Sequence, residues 1–177
     1  MNEIPFKHRL PLALASAVVG AAALGVVMLL AVLATIEFGL FDPSAMKQHG
    51  PIVSWAVHTT FIHATERAEK GAVAPPLTHQ QAVAGFSLYV DHCQVCHGGW
   101  GAARAPWVAG INPTPPFLLD ARRRWTAPEL HRIVADGVKM TAMPAWRLTL
   151  PDSDIWNLVA FLETPGAAKD GKALAGQ

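Results

Sequence analysis

The sequence predicts an all-α protein with an N-terminal transmembrane helix, a juxtamembrane amphipathic helix and a small helical domain after them. Three observations predict it. Residues Leu10 to Ile36 carry no charge, and Leu, Ala and Val dominate the run. Val53, Val57, Phe61, Ala64 and Ala68 recur at steps of four and three, which draws one apolar stripe on a helix. From Thr78 onward apolar segments alternate with proline- and glycine-rich loops, and neither an internal repeat nor a convincing strand pattern interrupts them.

Composition agrees. Hydrophobic residues make up 51% of the chain and charged residues only 15%, lopsided for a soluble domain, and the excess sits in the first forty residues. The net charge of +1 gives nucleic-acid binding no support. The two cysteines stand three apart, too few for a disulfide framework, so they matter as a site.

The uncharged run is 27 residues long. As a helix it would extend roughly 40 Å, more than the ~30 Å hydrocarbon core of a bilayer needs. A buried soluble helix would be shorter and polar on one side. A cleaved signal peptide is the stronger rival, because Lys7, His8 and Arg9 form a positive leader and Val32-Leu33-Ala34 offers a cleavage site. Signal cores run about 7–15 residues, so an uncleaved anchor over 10–36 fits better. Lys7 and Arg9 precede the span, whereas Glu37 and Asp42 follow it. The positive-inside rule therefore puts residues 1–9 in the cytoplasm and everything after Glu37 in the periplasm, attached to the inner membrane by the span.

Residues 37–77 read as a juxtamembrane segment. A loop with Gly39, Pro43 and Gly50 leads into a helix over Pro51–Lys70, opened by Pro51 and stopped by Gly71, and Pro75-Pro76 marks an extended linker. The apolar stripe of this helix needs cover from lipid headgroups or protein. His58 and His63 are five apart and do not share a face at ligand spacing, so they read as surface residues. No histidine lies inside the span, so it has no ligands for a haem within the membrane.

A domain over 78–166 follows, with a flexible tail at 167–177. One helix runs through Gln80–His92 into the cysteines. An irregular stretch, Gly98–Arg124, holds Pro106, Pro113, Pro115 and Pro116. Thr126-Ala127-Pro128-Glu129 fits a capping box that opens a helix to about Asp136, stopped by Gly137. A last helix runs from about Pro151 to Glu163.

The chemistry concentrates in Cys93-Gln94-Val95-Cys96-His97. Two thiols three apart on a helical turn can both add to the vinyl groups of one haem, and the next histidine then presents its imidazole to the iron. A zinc site would need two further Cys or His ligands at a second short spacing, and a thioredoxin-like pair would need a strand–helix setting. Neither is present in the sequence. A sixth iron ligand is available in Met140-Thr141-Ala142-Met143-Pro144, where Pro144 keeps Met143 off a helix; Met140 is the weaker candidate.

With these motifs in place, residues 78–164 resemble the class I monohaem cytochromes c, in a membrane-anchored bacterial form. In that fold a small residue and an aromatic precede the first cysteine, as Gly85 and Tyr89 do here, and pack on an apolar pair of the last helix, matched by Leu158 and Phe161. Pro116-Phe117-Leu118 resembles the family's Pro-x-Leu, whose proline carbonyl orients the histidine. Trp125 resembles the tryptophan that bonds a haem propionate, and Met143-Pro144-Ala145-Trp146 the axial-ligand loop. Trp100 departs from the pattern, since a small residue or proline is usual there.

The resemblance implies one covalent haem c on Cys93 and Cys96, with His97 and Met143 on the iron and Pro116, Leu118, Trp125 and Trp146 around it. It implies single-electron transfer between redox protein partners: a dehydrogenase or quinol-oxidising complex as donor and a terminal oxidase as acceptor. No small-molecule substrate is expected. Two other classes stand beside it, a haem enzyme or gas sensor with a displaceable sixth ligand and a structural anchor whose haem only stabilises the fold.

Overall fold

A computed structural model describes residues 6–99, 101–118 and 121–164. Trp100, the expected tail at 167–177 and residues 1–5 of the expected cytoplasmic segment lie outside the described residues. Among the described residues every regular element is helical, and the chain divides into two compact units, one reaching Lys47 and the other starting at Gln48.

The first unit is a single long helix, α1 (Phe6–Glu37). Its stretch Ala13–Glu37 is long and apolar enough to cross a membrane. Val18, Leu24 and Ile36 are exposed along it, unlike the residues of a soluble core helix. The helix stops at Gly39, which takes a left-handed φ of +60°, while the Leu40 N–H reaches back to the Thr35 carbonyl at 3.0 Å. Glycine has no Cβ to oppose that turn.

The second unit contains α2 (Pro51–Ala68), α3 (His79–His92), the single turn α4 (Gln94–His97), α5 (Ala127–Asp136) and α6 (Asp152–Glu163). Three of these helices, α2, α3 and α5, have a local reason to begin where they do. Pro51 opens α2. Thr78 and Gln81 form a reciprocal cap at α3: the Gln81 N–H donates to Thr78 Oγ1 at 3.2 Å and the Thr78 N–H to Gln81 Oε1 at 2.9 Å. At α5 the Glu129 carboxylate accepts from the Thr126 N–H at 2.7 Å. Such caps each contribute about 1 kcal/mol.

The core lies where α3 crosses α6. Gly85 makes the crossing possible, because a Cβ there would collide with the Asn157 carbonyl of α6. Tyr89 and Phe86 of α3 then reach the Phe161 ring, at centroid distances of 5.1 and 5.5 Å. Ile155, Leu158, Val159 and Phe161 are essentially without solvent contact. Each such side chain contributes roughly 1.5–3 kcal/mol on burial. Leu130 and Val134 bring α5 onto the same cluster, and His131 of α5 bonds Asp152 at 2.8 Å while stacking on Trp156.

The sequence leaves the cover of the α2 stripe open between lipid and protein. In the structure the domain covers a different line of the second half of α2, through Phe61, Thr65 and Glu69, while Ala64 and Ala68 of the stripe stay exposed. Phe61 meets the Trp125 ring edge-on at 5.6 Å, Thr65 is buried, and Glu69 accepts from Arg132 of α5 at 3.1 Å. His58 is exposed, as expected of a surface residue, and its Nε2 accepts from the Arg124 guanidinium at 3.0 Å. Val57 and Val53, one and two turns before Phe61, remain exposed. Periodicity shows which face of a helix is apolar but not what lies against it.

Candidate functional site

The site grows out of the end of α3. That helix closes with the Cys93 N–H on the Tyr89 carbonyl at 2.9 Å, and α4 repeats the turn with the His97 N–H on the Cys93 carbonyl at 2.9 Å. One continuous helical path thus carries Cys93, Cys96 and His97 within a single turn. The Tyr89 hydroxyl, buried under α6, donates to the Gly98 carbonyl at 2.7 Å and ties the residue after His97 to the core. Gly98 takes φ +68°, so the chain leaves the turn sharply.

His97 is held by a second bond. Its Nδ1–H donates to the Pro116 carbonyl at 2.7 Å. A carbonyl can only accept, so the proton sits on Nδ1 and the Nε2 lone pair is available to a metal. Burial pulls the imidazole below its ordinary basicity; the Pro116 bond acts the other way and the Arg104 cation adds to the lowering. The ring is therefore neutral at physiological pH, as an iron ligand must be. The Cys93 thiol is pushed up to about 12 by burial, with Cys96 adding to the rise. Burial likewise raises the Tyr89 phenol, so it stays protonated and donates.

The two methionines separate clearly. Met143 packs against the core cluster, as do Cys93, Leu118, Trp125 and Trp146. Met140 is 89% exposed and adopts φ +60°. The Met143 loop is fixed at both ends: its carbonyl accepts from the Val138 N–H at 3.2 Å, and the Trp146 ring lies 5.2 Å from the ring of His92, next to Cys93.

The structure thus joins His97 directly to Pro116 and gathers Cys93, Leu118, Trp125, Met143 and Trp146 on one core, with Cys96 half-buried on the same turn. Three contributors escape a reading of the sequence. Gly137, expected as a helix stop, also lies where a Cβ would come within 2.7 Å of the Met143 carbonyl oxygen. Phe117 approaches Gly98, and Arg104 stacks on Phe117 with Cζ 3.6 Å from the ring centroid. These are contacts between distant segments, which no local pattern announces.

Among the described residues no three His, Cys, Asp or Glu side chains converge as ligands of one ion would. A haem suits the set instead: paired thiols on a helical turn, an imidazole with its outer nitrogen already bonded, a thioether and an apolar surround. Helical fold, Cys-x-x-Cys-His turn and proline-braced histidine are features of the c-type cytochromes, haem proteins of electron transfer. Residues 80–162, just under half of the chain, match the family described as Cytochrome C oxidase, cbb3-type, subunit III. No curated protein and no solved structure matches the chain.

Proposed function

We propose that this chain carries single electrons at the periplasmic face of the inner membrane through one haem c. Cys93 and Cys96 would hold the haem through thioethers, and His97 and Met143 would ligate its iron. The observation that carries the reading is the His97–Pro116 bond of 2.7 Å, which fixes the tautomer and ring plane a proximal ligand requires.

When bound, haem c supplies a one-electron iron(III)/iron(II) couple held between two strong ligands. The protein's part is to keep that couple rigid. Pro116 fixes the His97 ring, Gly137 and Val138 hold the Met143 loop, and Leu118 and Trp146 exclude water. Trp125 stands at the same core, where the resemblance gives it a propionate bond. With two protein ligands on the iron no position is left for a substrate, so electrons pass at brief docking encounters, which use small interfaces.

The uncleaved helix α1 anchors the domain, with the charges at Lys7 and Arg9 placing the following residues in the periplasm. Donors are a dehydrogenase or a quinol-oxidising complex, and the acceptor is a terminal oxidase. The matched family is named for an oxidase subunit, which supports residence in a membrane complex.

Carbon monoxide tests the ligand set against the rival of a displaceable sixth ligand. The reduced wild type and Met140→Ala should not bind it, and Met143→Ala should bind readily. Binding by the wild type would favour an enzyme or gas sensor, and binding only by Met140→Ala would reassign the ligand.

A further inference from the structure

Arg104 is the side chain near the site that the proposed function leaves unused. It lies in the loop leaving His97, which is closed by paired hydrogen bonds between Gly99 and Ala102 at 3.0 and 3.2 Å. The Ala105 N–H, one residue on, donates to the Val95 carbonyl between the two cysteines at 3.0 Å. The backbone carrying Arg104 is therefore bonded to the attachment turn. The side chain is held as well. Its guanidinium carbon sits 3.6 Å from the centroid of the Phe117 ring. Phe117 follows Pro116, the residue that braces His97, and its ring abuts Gly98, where a Cβ would come within 2.9 Å of Cε1.

Two further observations make this cation unusual. Its Nε is buried without a hydrogen-bond partner. Arg132 and Arg147 both pair with carboxylates, whereas Arg104 has no ion pair among the described residues. Its half-buried positive charge meets no carboxylate among the described residues and is clamped to the segment that orients His97.

We infer that Arg104 is a positioning residue for electron transfer: a fixed cation on the His97 side that favours the reduced haem and so raises its reduction potential. The inference rests on haem being bound through His97. The oxidised haem carries one more positive charge than the reduced haem, so a nearby fixed cation disfavours oxidation. A half-buried cation is weakly screened, because the medium around it is less polarisable than water. The stack on Phe117 holds the charge in place and leaves it unneutralised.

The test is a potentiometric titration of the full-length protein in mild detergent, with covalent haem content measured on each variant. Arg104→Gln removes the charge and should change the oxidised-to-reduced ratio at fixed potential up to about tenfold, a fall in midpoint of up to about 59 mV. Arg104→Lys keeps the charge and should retain most of the potential. Phe117→Leu frees the cation into solvent and should lower the midpoint part of the way. Arg122→Gln, at an exposed arginine, should leave it unchanged. Equal shifts in the Gln and Lys variants, or an unshifted Gln variant that only melts earlier, would overturn the inference. If Arg104→Gln does not fold, an unshifted midpoint in Phe117→Leu overturns it alone. Absence of covalent haem from the wild type would instead defeat the parent reading.

Discussion

Replacing Gly137 by alanine perturbs the site without touching a ligand. Gly137 ends α5 with φ +66°, and a Cβ there would lie 2.5 Å from the Pro144 carbonyl carbon and 2.7 Å from the Met143 carbonyl oxygen. Both neighbours are backbone, so no side chain can swing away. With ψ −171° this backbone is essentially open to glycine alone and costs an alanine about 1–3 kcal/mol, and overpacking against fixed atoms about 1–3 kcal/mol more. The combined loss, about 2–6 kcal/mol, should lower the melting temperature by at least about 8 °C in a domain of this size. Relief requires the Met143–Pro144 backbone to retreat by most of an ångström, which would strain the bond proposed between the Met143 thioether and the haem iron. The sulfur-to-iron charge-transfer band of the oxidised protein should therefore weaken along with stability. Gly71→Ala is the control, since Gly71 has φ +79° but nothing within 4 Å of a Cβ. It carries the conformational cost alone, about 1–2 kcal/mol, and leaves the band intact. Equal small losses in the two variants, with the band unchanged in both, would refute the reasoning.

Three other changes probe separate contacts. Met140→Gly relieves a left-handed non-glycine residue whose side chain is exposed, so it should stabilise the domain by up to about 1 kcal/mol in guanidinium unfolding and leave the charge-transfer band alone. Tyr89→Phe removes the buried donor to the Gly98 carbonyl and should cost about 1–3 kcal/mol by the same assay. A chain starting at Gly71 should fold and bind haem, yet be about 1–3 kcal/mol less stable than one starting at Gln48, because it lacks the Phe61–Trp125 contact and the Glu69–Arg132 pair. Identical unfolding midpoints for those two chains would make α2 a mere spacer.

What the sequence discloses and what it hides divide by range. Cys93, Cys96 and His97 stand out in the sequence because the chemistry proposed for them needs a fixed local spacing. The start of α5 at Thr126 and Glu129 is legible for the same reason. Thr78 and Gln81 show the same kind of capping pattern, so the first turn of α3 was available to a closer reading. The crossing at Gly85 follows from the fold the motifs imply, although only coordinates show the Asn157 carbonyl beneath it. The irregular stretch 98–124 hides short 3₁₀ turns at Pro106–Gly110 and Ala121–Arg123, too brief to leave a period. Arg104 on Phe117, Gly137 under Met143 and α2 on α5 join segments that lie apart or carry no repeat, so composition and periodicity are silent about them. A stripe such as Val53–Phe61 states that a face needs cover; the partner depends on tertiary packing.

The central claim is that one haem is bonded to this chain at Cys93 and Cys96, and intact mass after denaturation tests it most directly. The full-length protein, expressed with haem-attachment machinery and extracted with acidified solvent, should retain the mass of one haem. Either single cysteine-to-alanine variant should keep at most one thioether, and the double variant should have the mass of the bare chain. A wild-type chain that gives up its haem to the solvent, or a double variant that keeps it, would contradict the account.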